Sequence, residues 1–529
     1  MNSTNKIIAV VLLVLCAGNL YSQKNIQFRS SLSYPRILSN IWGYADTINH
    51  KEYALVGVEH GLSIVDITDP DSPDEVFFVP TDTSIWQEPK TWSHYVYMTN
   101  ENKGGVLIVD LGNLPFSASF TRWQNIPGED YQKSHTCFID ENGILYLNGS
   151  NLFNRGSIMC DLKPDPMNPV YLGKYDDFYV HDCFARNDTL YAAEILNGQF
   201  SIIDVHDKAN PQTIVRQETP FFFSHNVWLS DDNRYLFNTD EKAMAPVTAY
   251  NISDLNNIKE TDRYQHIQDD SSIAHNTYYK NGFLFTSYYR NGVTIVDAHR
   301  PYNLIEVGYY DTSPLPPGNG YEGCWGVYCF LPSGNIVCSD RQEGLFVLTP
   351  TLKRACYLEG KVSDGATLQP LYNINVEIMG QPNQTKTDLI GDYKTGVADS
   401  GNYDVRFTDF GVHCNTQIVT GVVLRPGLVT PIDYYMNCSF PNAINEGSAD
   451  ILLKASPSIF SESTLIQYHS ACEAESIISV YDVQGKELKS YRIETPNASI
   501  QIGNDFQSGV YFVKAVQGNY SKLLKLIKD

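Results

Sequence analysis

Long hydrophobic runs are missing from this chain of 529 residues except near its start, where Ile7 to Leu15 follow Lys6. A run that short cannot cross a bilayer, so no transmembrane anchor is expected. An excess of basic charge is missing too, since 38 Lys and Arg face 60 Asp and Glu for a formal net charge of −22. That balance excludes the basic footprint of a nucleic-acid binder and disfavours anionic membrane surfaces. Also absent are a Gly-x-Ser-x-Gly elbow, a His-Glu-x-x-His helix, a phosphate-binding glycine loop and a Cys-x-x-Cys pair, so no familiar catalytic signature is present. Charged residues make up only 19%, whereas Tyr (35) and Phe (24) are abundant, as in a chain of half-buried β-strands.

The short apolar run, followed by the polar Asn19-Leu-Tyr-Ser22, has the shape of a secretory signal over residues 1–22 with cleavage after Ser22. Cys16 lacks the preceding small residues of a lipidation site. Removing the signal leaves ten of eleven cysteines, an even number in an exported chain, so disulfides are expected. Cys329 and Cys338 flank a hairpin, while Cys414 and Cys438 share a later domain with Cys356 at its edge. Their pairing is open.

A short β-rich run recurs seven times, as in Gly61-Leu-Ser-Ile-Val-Asp66, Gly105-Val-Leu-Ile-Val-Asp110 and Gly292-Val-Thr-Ile-Val-Asp297. The ends of successive copies lie 44, 51, 43, 47, 46 and 51 residues apart, the period of four-stranded propeller blades. The fold class expected is all-β, with a seven-bladed β-propeller over residues 26–350. The last copy lacks an outer strand of its own. Residues 26–34 are expected to supply it and close the ring.

The starts of the inner strands carry Trp in blades 1, 2 and 7 (Trp42, Trp86, Trp325) and His in blades 3 to 6 (His135, His181, His225, His275). His94 falls in a turn and is set aside. Inner strands line the axial channel, so these side chains should converge at one end of it. Acids recur at the ends of the second strands, at Glu59, Glu101, Glu194, Asp240 with Glu241, and Asp340. Imidazoles beside carboxylates are candidate ligands of a divalent metal: a transition metal if the histidines dominate, calcium if the acids do. Cys137 and Cys183 lie two positions after a His and are expected to face the same side of a strand as soft ligands. The alternative roles are strand-to-turn hydrogen bonding for the histidines, plain packing for the cysteines, and channel lining for the Trp residues.

Residues 356–438 carry short alternating strands, with Gly360-Lys-Val362, Gly391-Asp-Tyr393 and Gly401-Asn-Tyr-Asp-Val405 between turns. This stretch resembles the carboxypeptidase-regulatory-like, or transthyretin-like, β-sandwich, which implies a spacer or binding module. Phe440 to Asp450 reads as a linker. Residues 451–529 contain an Asp-x-x-Gly turn at Asp482, the strand Gly509-Val-Tyr-Phe-Val513 and a Lys-rich end, and resemble the type IX secretion C-terminal sorting domain, a β-sandwich. That resemblance implies handling by the type IX secretion machinery, passage across the outer membrane, and a secreted or cell-surface location. Over residues 35–350 the Gly-x-x-Ile-Val-Asp strands resemble LVIVD repeats. Pieces such as Ser224-His-Asn-Val-Trp228, Ala274-His-Asn276 and Gly323-Cys-Trp-Gly-Val327 are similar to the choice-of-anchor B family of exported propellers. The function expected is an extracellular module that binds an unknown ligand or partner. The alternative is a metal-dependent enzyme with a His-lined channel, distinguished by whether the four imidazoles meet near one point.

Overall fold

A computed structural model of the chain describes residues 22–267, 271–382, 384–411, 413–438, 451–471, 475–518 and 520–529. The signal segment before Ser22 and the whole linker lie outside the described residues. Strands dominate, and no described helix is long and apolar enough to cross a membrane.

Alternating apolar strands with tight turns pair with their sequence neighbours, and residues 26–350 form seven antiparallel sheets of four strands, one of which gains a fifth. The first sheet runs Leu38–Asp46, Lys51–Val58, Gly61–Asp66, Asp74–Pro80. The first strands of the next sheets are Gln87–Trp92, Thr136–Ile139, Asp182–Arg186, Ser224–Leu229, Thr277–Lys280 and Cys324–Tyr328. Each of these lies against the next sheet, and Cys324–Tyr328 returns to Leu38–Asp46, so the circle is closed with the first strands innermost. The recurring Gly-x-x-Ile-Val-Asp run is the third strand of its sheet, buried on both faces by the neighbouring sheets.

Closure uses the N-terminus. Ile26–Leu32 pairs antiparallel with Gly344–Pro350, from Ile26 opposite Pro350 to Leu32 opposite Leu345, as the missing outer strand requires. Gln23–Lys24 adds a short edge to the preceding sheet beside Tyr309 and Tyr310.

Cys356–Asp364 and its partners form one sheet, and Asn375–Ile378, Gln384–Lys386, Gly401–Thr408 and Gln417–Leu424 a second; both share a core that includes Leu358, Val376, Phe407 and Leu424. This unit is fastened to the ring. The fully buried Asp297, the last residue of a repeat strand, accepts the Ala355 N–H at 2.7 Å, and Arg300 pairs with Glu359 at 2.9 Å. Residues 451–529 form two further sheets around Ile466, Val480, Val513 and Leu526.

Among the described residues the cysteines form one disulfide, within the later domain. Cys414 and Cys438 are bonded, but Cys329, Cys338 and Cys356 are free and buried, as are Cys137, Cys160, Cys183 and Cys324. They fill space between strands as small apolar side chains do.

Candidate functional site

Three of the four histidines stand just ahead of the first strand of their sheet, and His225 is the second residue of its own. They therefore lean over the mouth of the channel at equivalent heights. Consecutive ring centroids are 4.2 Å apart for His135 and His181, 4.2 Å for His181 and His225, and 4.4 Å for His225 and His275. The histidines form one continuous arc rather than four separate contacts within sheets.

Three of the four Nδ1 nitrogens are hydrogen-bonded. His181 Nδ1 is bonded to the His225 carbonyl at 3.3 Å, His275 Nδ1 to the Trp325 carbonyl at 2.5 Å, and His135 Nδ1 to Glu101 at 2.5 Å. A carbonyl accepts only from N–H, so His181 and His275 carry the proton on Nδ1 and keep an Nε2 lone pair free. This is the arrangement by which proteins orient metal-binding imidazoles. His225 Nδ1 is buried without a hydrogen-bond partner. Burial and the neighbouring imidazoles lower the basicity of His181 and His225 well below that of a free histidine, and burial takes His275 down to about 3. All three are neutral at physiological pH.

One carboxylate joins them. Glu241 lies 3.6 Å from His225 Nε2 and 3.9 Å from His275 Nε2, and donor atoms of the three residues fall within 4.8 Å of one another. Tyr289 donates its hydroxyl to Glu241, while burial pushes that carboxyl up to about 7.

Below the arc lies a small cavity of about 60 Å³ with Glu88, Thr136, Asp182 and Asn276 around it and Trp86 and Trp325 beside the mouth. Asp182 is raised to about 6 by burial and by Glu88. Lys90 is fully buried beneath and pairs with Glu88; burial works against its charge, but the pairing prevails and holds it above the usual lysine range. Asn40 donates to Glu88 at 2.6 Å and Asn226 to Asp182 at 2.8 Å. Glu88, Asp182 and Glu241 share this enclosed space with one ammonium, Lys90, and a bound cation would favour the ionised form of all three carboxyls. Deeper still, an aromatic cluster closes the channel, with Trp42 4.8 Å from Tyr328 and Trp228 4.9 Å from Tyr278. Lys90→Met should cost about 3–5 kcal/mol in urea unfolding, because it leaves Glu88 and Asp182 buried without their cation; the double variant Lys90→Met, Glu88→Gln should recover part of that loss.

Several expected members lie elsewhere. Trp42 belongs to the aromatic plug and makes its own hydrogen bond to Thr91, because its strand begins earlier and Ser39, not Trp42, sits level with the first residues of the other inner strands. Cys137 contacts the backbone carbonyls of Glu88 and Tyr97, and Cys183 accepts from Asn148; neither borders the cavity, and burial raises the Cys137 thiol to about 12. Residue-by-residue alternation holds only inside a strand, and it does not extend back to a histidine placed before one. The residue immediately after the histidine, as in Thr136, Asp182 and Asn276, borders the cavity instead.

Among the acids, Glu101 reaches only His135. Glu59 pairs loosely with Arg36 at 3.6 Å, and Glu194 accepts from Tyr175 at 2.7 Å. Asp240 holds Thr219 at 2.6 Å and the Phe221 N–H at 2.8 Å, pinning the loop that leads to His225; Asp340 binds Thr312 at 2.7 Å. The side chain that turns to the channel is that of the next residue, Glu241. The Glu88–Lys90 pair was not singled out from sequence, because two charges in a six-residue strand look like an exposed edge.

Comparisons with known proteins match parts of the chain. The C-terminal unit matches the secretion system C-terminal sorting domain over residues 460–529, and residues 43–81 match the LVIVD repeat. No curated protein matches the chain. Among solved structures, the chain is similar to the beta-propeller domain of Myceliophteria thermophila Cps50 (Swd1) at 10% identity and a TM-score of 0.43, covering 61% of this chain and 99% of that chain. The closed circle of four-stranded sheets makes the chain an all-β protein with a β-propeller fold, and residues 43–81 give it an LVIVD repeat. Its sorting tail marks it as cargo of type IX secretion, exported to the cell surface or extracellular space.

Proposed function

We propose that the protein is an exported seven-bladed propeller of the choice-of-anchor B kind that holds a divalent transition metal at its channel mouth and uses it to bind an external ligand. In this reading residues 1–22 are a removable signal, 26–350 the propeller, 356–438 a transthyretin-like spacer and 451–529 the sorting domain.

The observation that carries the reading is the convergence of His225, His275 and Glu241 within 4.8 Å, beside imidazoles whose inner nitrogens are already bonded. Two imidazoles and a carboxylate suit zinc, iron, copper or nickel, whereas calcium needs six to eight oxygens. Three protein donors leave a coordination position open toward the mouth, as in catalytic metal sites. A metal there would act as a Lewis acid toward whatever enters. The chain's own residues supply the shape: backbone carbonyls fix the His181 and His275 rings, Tyr289 holds Glu241, and the aromatic plug stops passage through the ring.

Elemental analysis of the full chain purified without added metal tests this directly. About one transition-metal ion per chain is expected. Calcium alone, or no metal after zinc is offered in excess, would leave the arc as architecture and return the protein to the class of metal-free binding scaffolds.

A further inference from the structure

Two arginines stand at the mouth without carboxylate partners. Arg155 lies over the ring of Tyr179 at 4.3 Å, and Tyr179 meets His181 edge-on at 6.2 Å. Arg341 lies over Trp325 at 4.6 Å, and Trp325 packs on His275 at 5.0 Å. Arg155 thus reaches the arc through Tyr179 and His181, and Arg341 through Trp325 and His275.

Among the described residues neither enters an ion pair; Arg122 and Arg186 are alike in this but spend their N–H groups on backbone carbonyls or Asn233. Arg341 gives one hydrogen bond to the Tyr321 carbonyl at 2.9 Å, and its Nε is buried with no partner. An aromatic face holds a guanidinium in place without using its N–H groups, so the planar donors stay free for an outside acceptor. Both are close enough to influence the site electrostatically: Arg155 acts on His181 and Glu101, Arg341 on Glu241 and His275.

The cavity, about 60 Å³, admits a head group and not a sugar ring or a folded peptide. Around the mouth, Trp86, Phe222 and Tyr321 are 37%, 59% and 48% exposed and offer apolar surface to the rest of a ligand. We infer that the ligand of this site carries a small oxyanion, a carboxylate or a phosphate, with one oxygen on the metal and the others recognised by Arg155 and Arg341. Guanidinium forks match both groups, and the metal with the two guanidiniums supplies the positive charge that offsets Glu88, Asp182 and Glu241. The inference rests on the metal reading given above.

Calorimetric titration of the zinc-loaded full chain with inorganic phosphate and, separately, with acetate tests it. Binding of at least one anion is expected, weakened about tenfold or more in Arg155→Gln and in Arg341→Gln, with zinc stoichiometry unchanged in both. Arg341→Lys should recover only part of the affinity, and Arg122→Gln, which removes an equal charge from an exposed arginine, should change nothing. Phosphate alone would assign a phosphate ester, and acetate alone a carboxylate. Absence of binding by either anion, or unaltered affinity in both glutamine variants, would overturn the inference. If zinc itself does not bind, the metal reading has failed; arginine-dependent anion binding by the metal-free chain would still support an oxyanion site, and its absence would end it.

Discussion

The double variant His225→Ala, His275→Ala should lose the metal proposed for the channel mouth. With apparent binding free energies of about 10–16 kcal/mol spread over the four ligands of a structural zinc site, each donor is worth roughly 3 kcal/mol, so removing two weakens affinity by about 10⁴-fold. Glu241→Gln removes one anionic donor and should cost about 100-fold by the same apportionment. Competition of each purified variant against a chromogenic chelator reads these differences. Cys183→Ala serves as the internal comparison, because that thiol turns to Asn148 and away from the cavity, and its metal affinity should match the unaltered chain. Retention of the full metal complement by the double variant would mean that the ion sits elsewhere. The histidine arc would then be a hydrogen-bonded collar around the channel.

Deleting residues 22–34 should abolish stable folding of the propeller. The deletion strips Ile26–Leu32 from Gly344–Pro350, exposes an open sheet edge, and takes away Arg29, which pairs with Asp71 of the first sheet at 2.6 Å, and Ser30, which bonds the Pro70 carbonyl. Six paired positions at about 1 kcal/mol net each, with the burial of Ile26 worth about 1.5–3 kcal/mol, sum to a large part of the ~5–15 kcal/mol that holds a whole domain. Thermal unfolding followed by far-ultraviolet circular dichroism should show no cooperative transition, or the protein should be insoluble. Deleting Ser22 to Lys24 alone is the contrasting case, since that segment adds only a two-residue edge beside Tyr309 and Tyr310. A cooperative melt within a few degrees of the unaltered chain after the longer deletion would show that the ring does not need its N-terminal strand.

The two predictions draw on different levels of the chain. The repeat period, the final copy without an outer strand and the strand-like segment at 26–34 are local sequence features, and pairing between β-strands follows from them with few alternatives, because an unpaired edge is costly wherever it lies. The four histidines were legible for the same reason: each opens an equivalent inner strand, and a ring of repeats brings equivalent positions together. Which neighbours share the site was not legible. Asp240 and Glu241 are adjacent in sequence, and a shift of one residue at the end of a strand sends one carboxylate to brace a loop and the other into the channel.

The sequence by itself therefore determined the repeat architecture, its closure, the export route and the arc of imidazoles, since all of these depend on periodicity or on short contiguous motifs. Only the tertiary structure decided that Glu241 completes the arc while Glu59, Glu194, Asp240 and Asp340 do not, that Trp42 plugs the channel, and that Lys90 neutralises part of a buried acidic floor. It also left Arg155 and Arg341 free at the mouth. Those outcomes depend on how residues from sheets separated by roughly fifty to two hundred positions meet across the axis, and strand alternation, which stops where a strand begins, carries no information about that meeting.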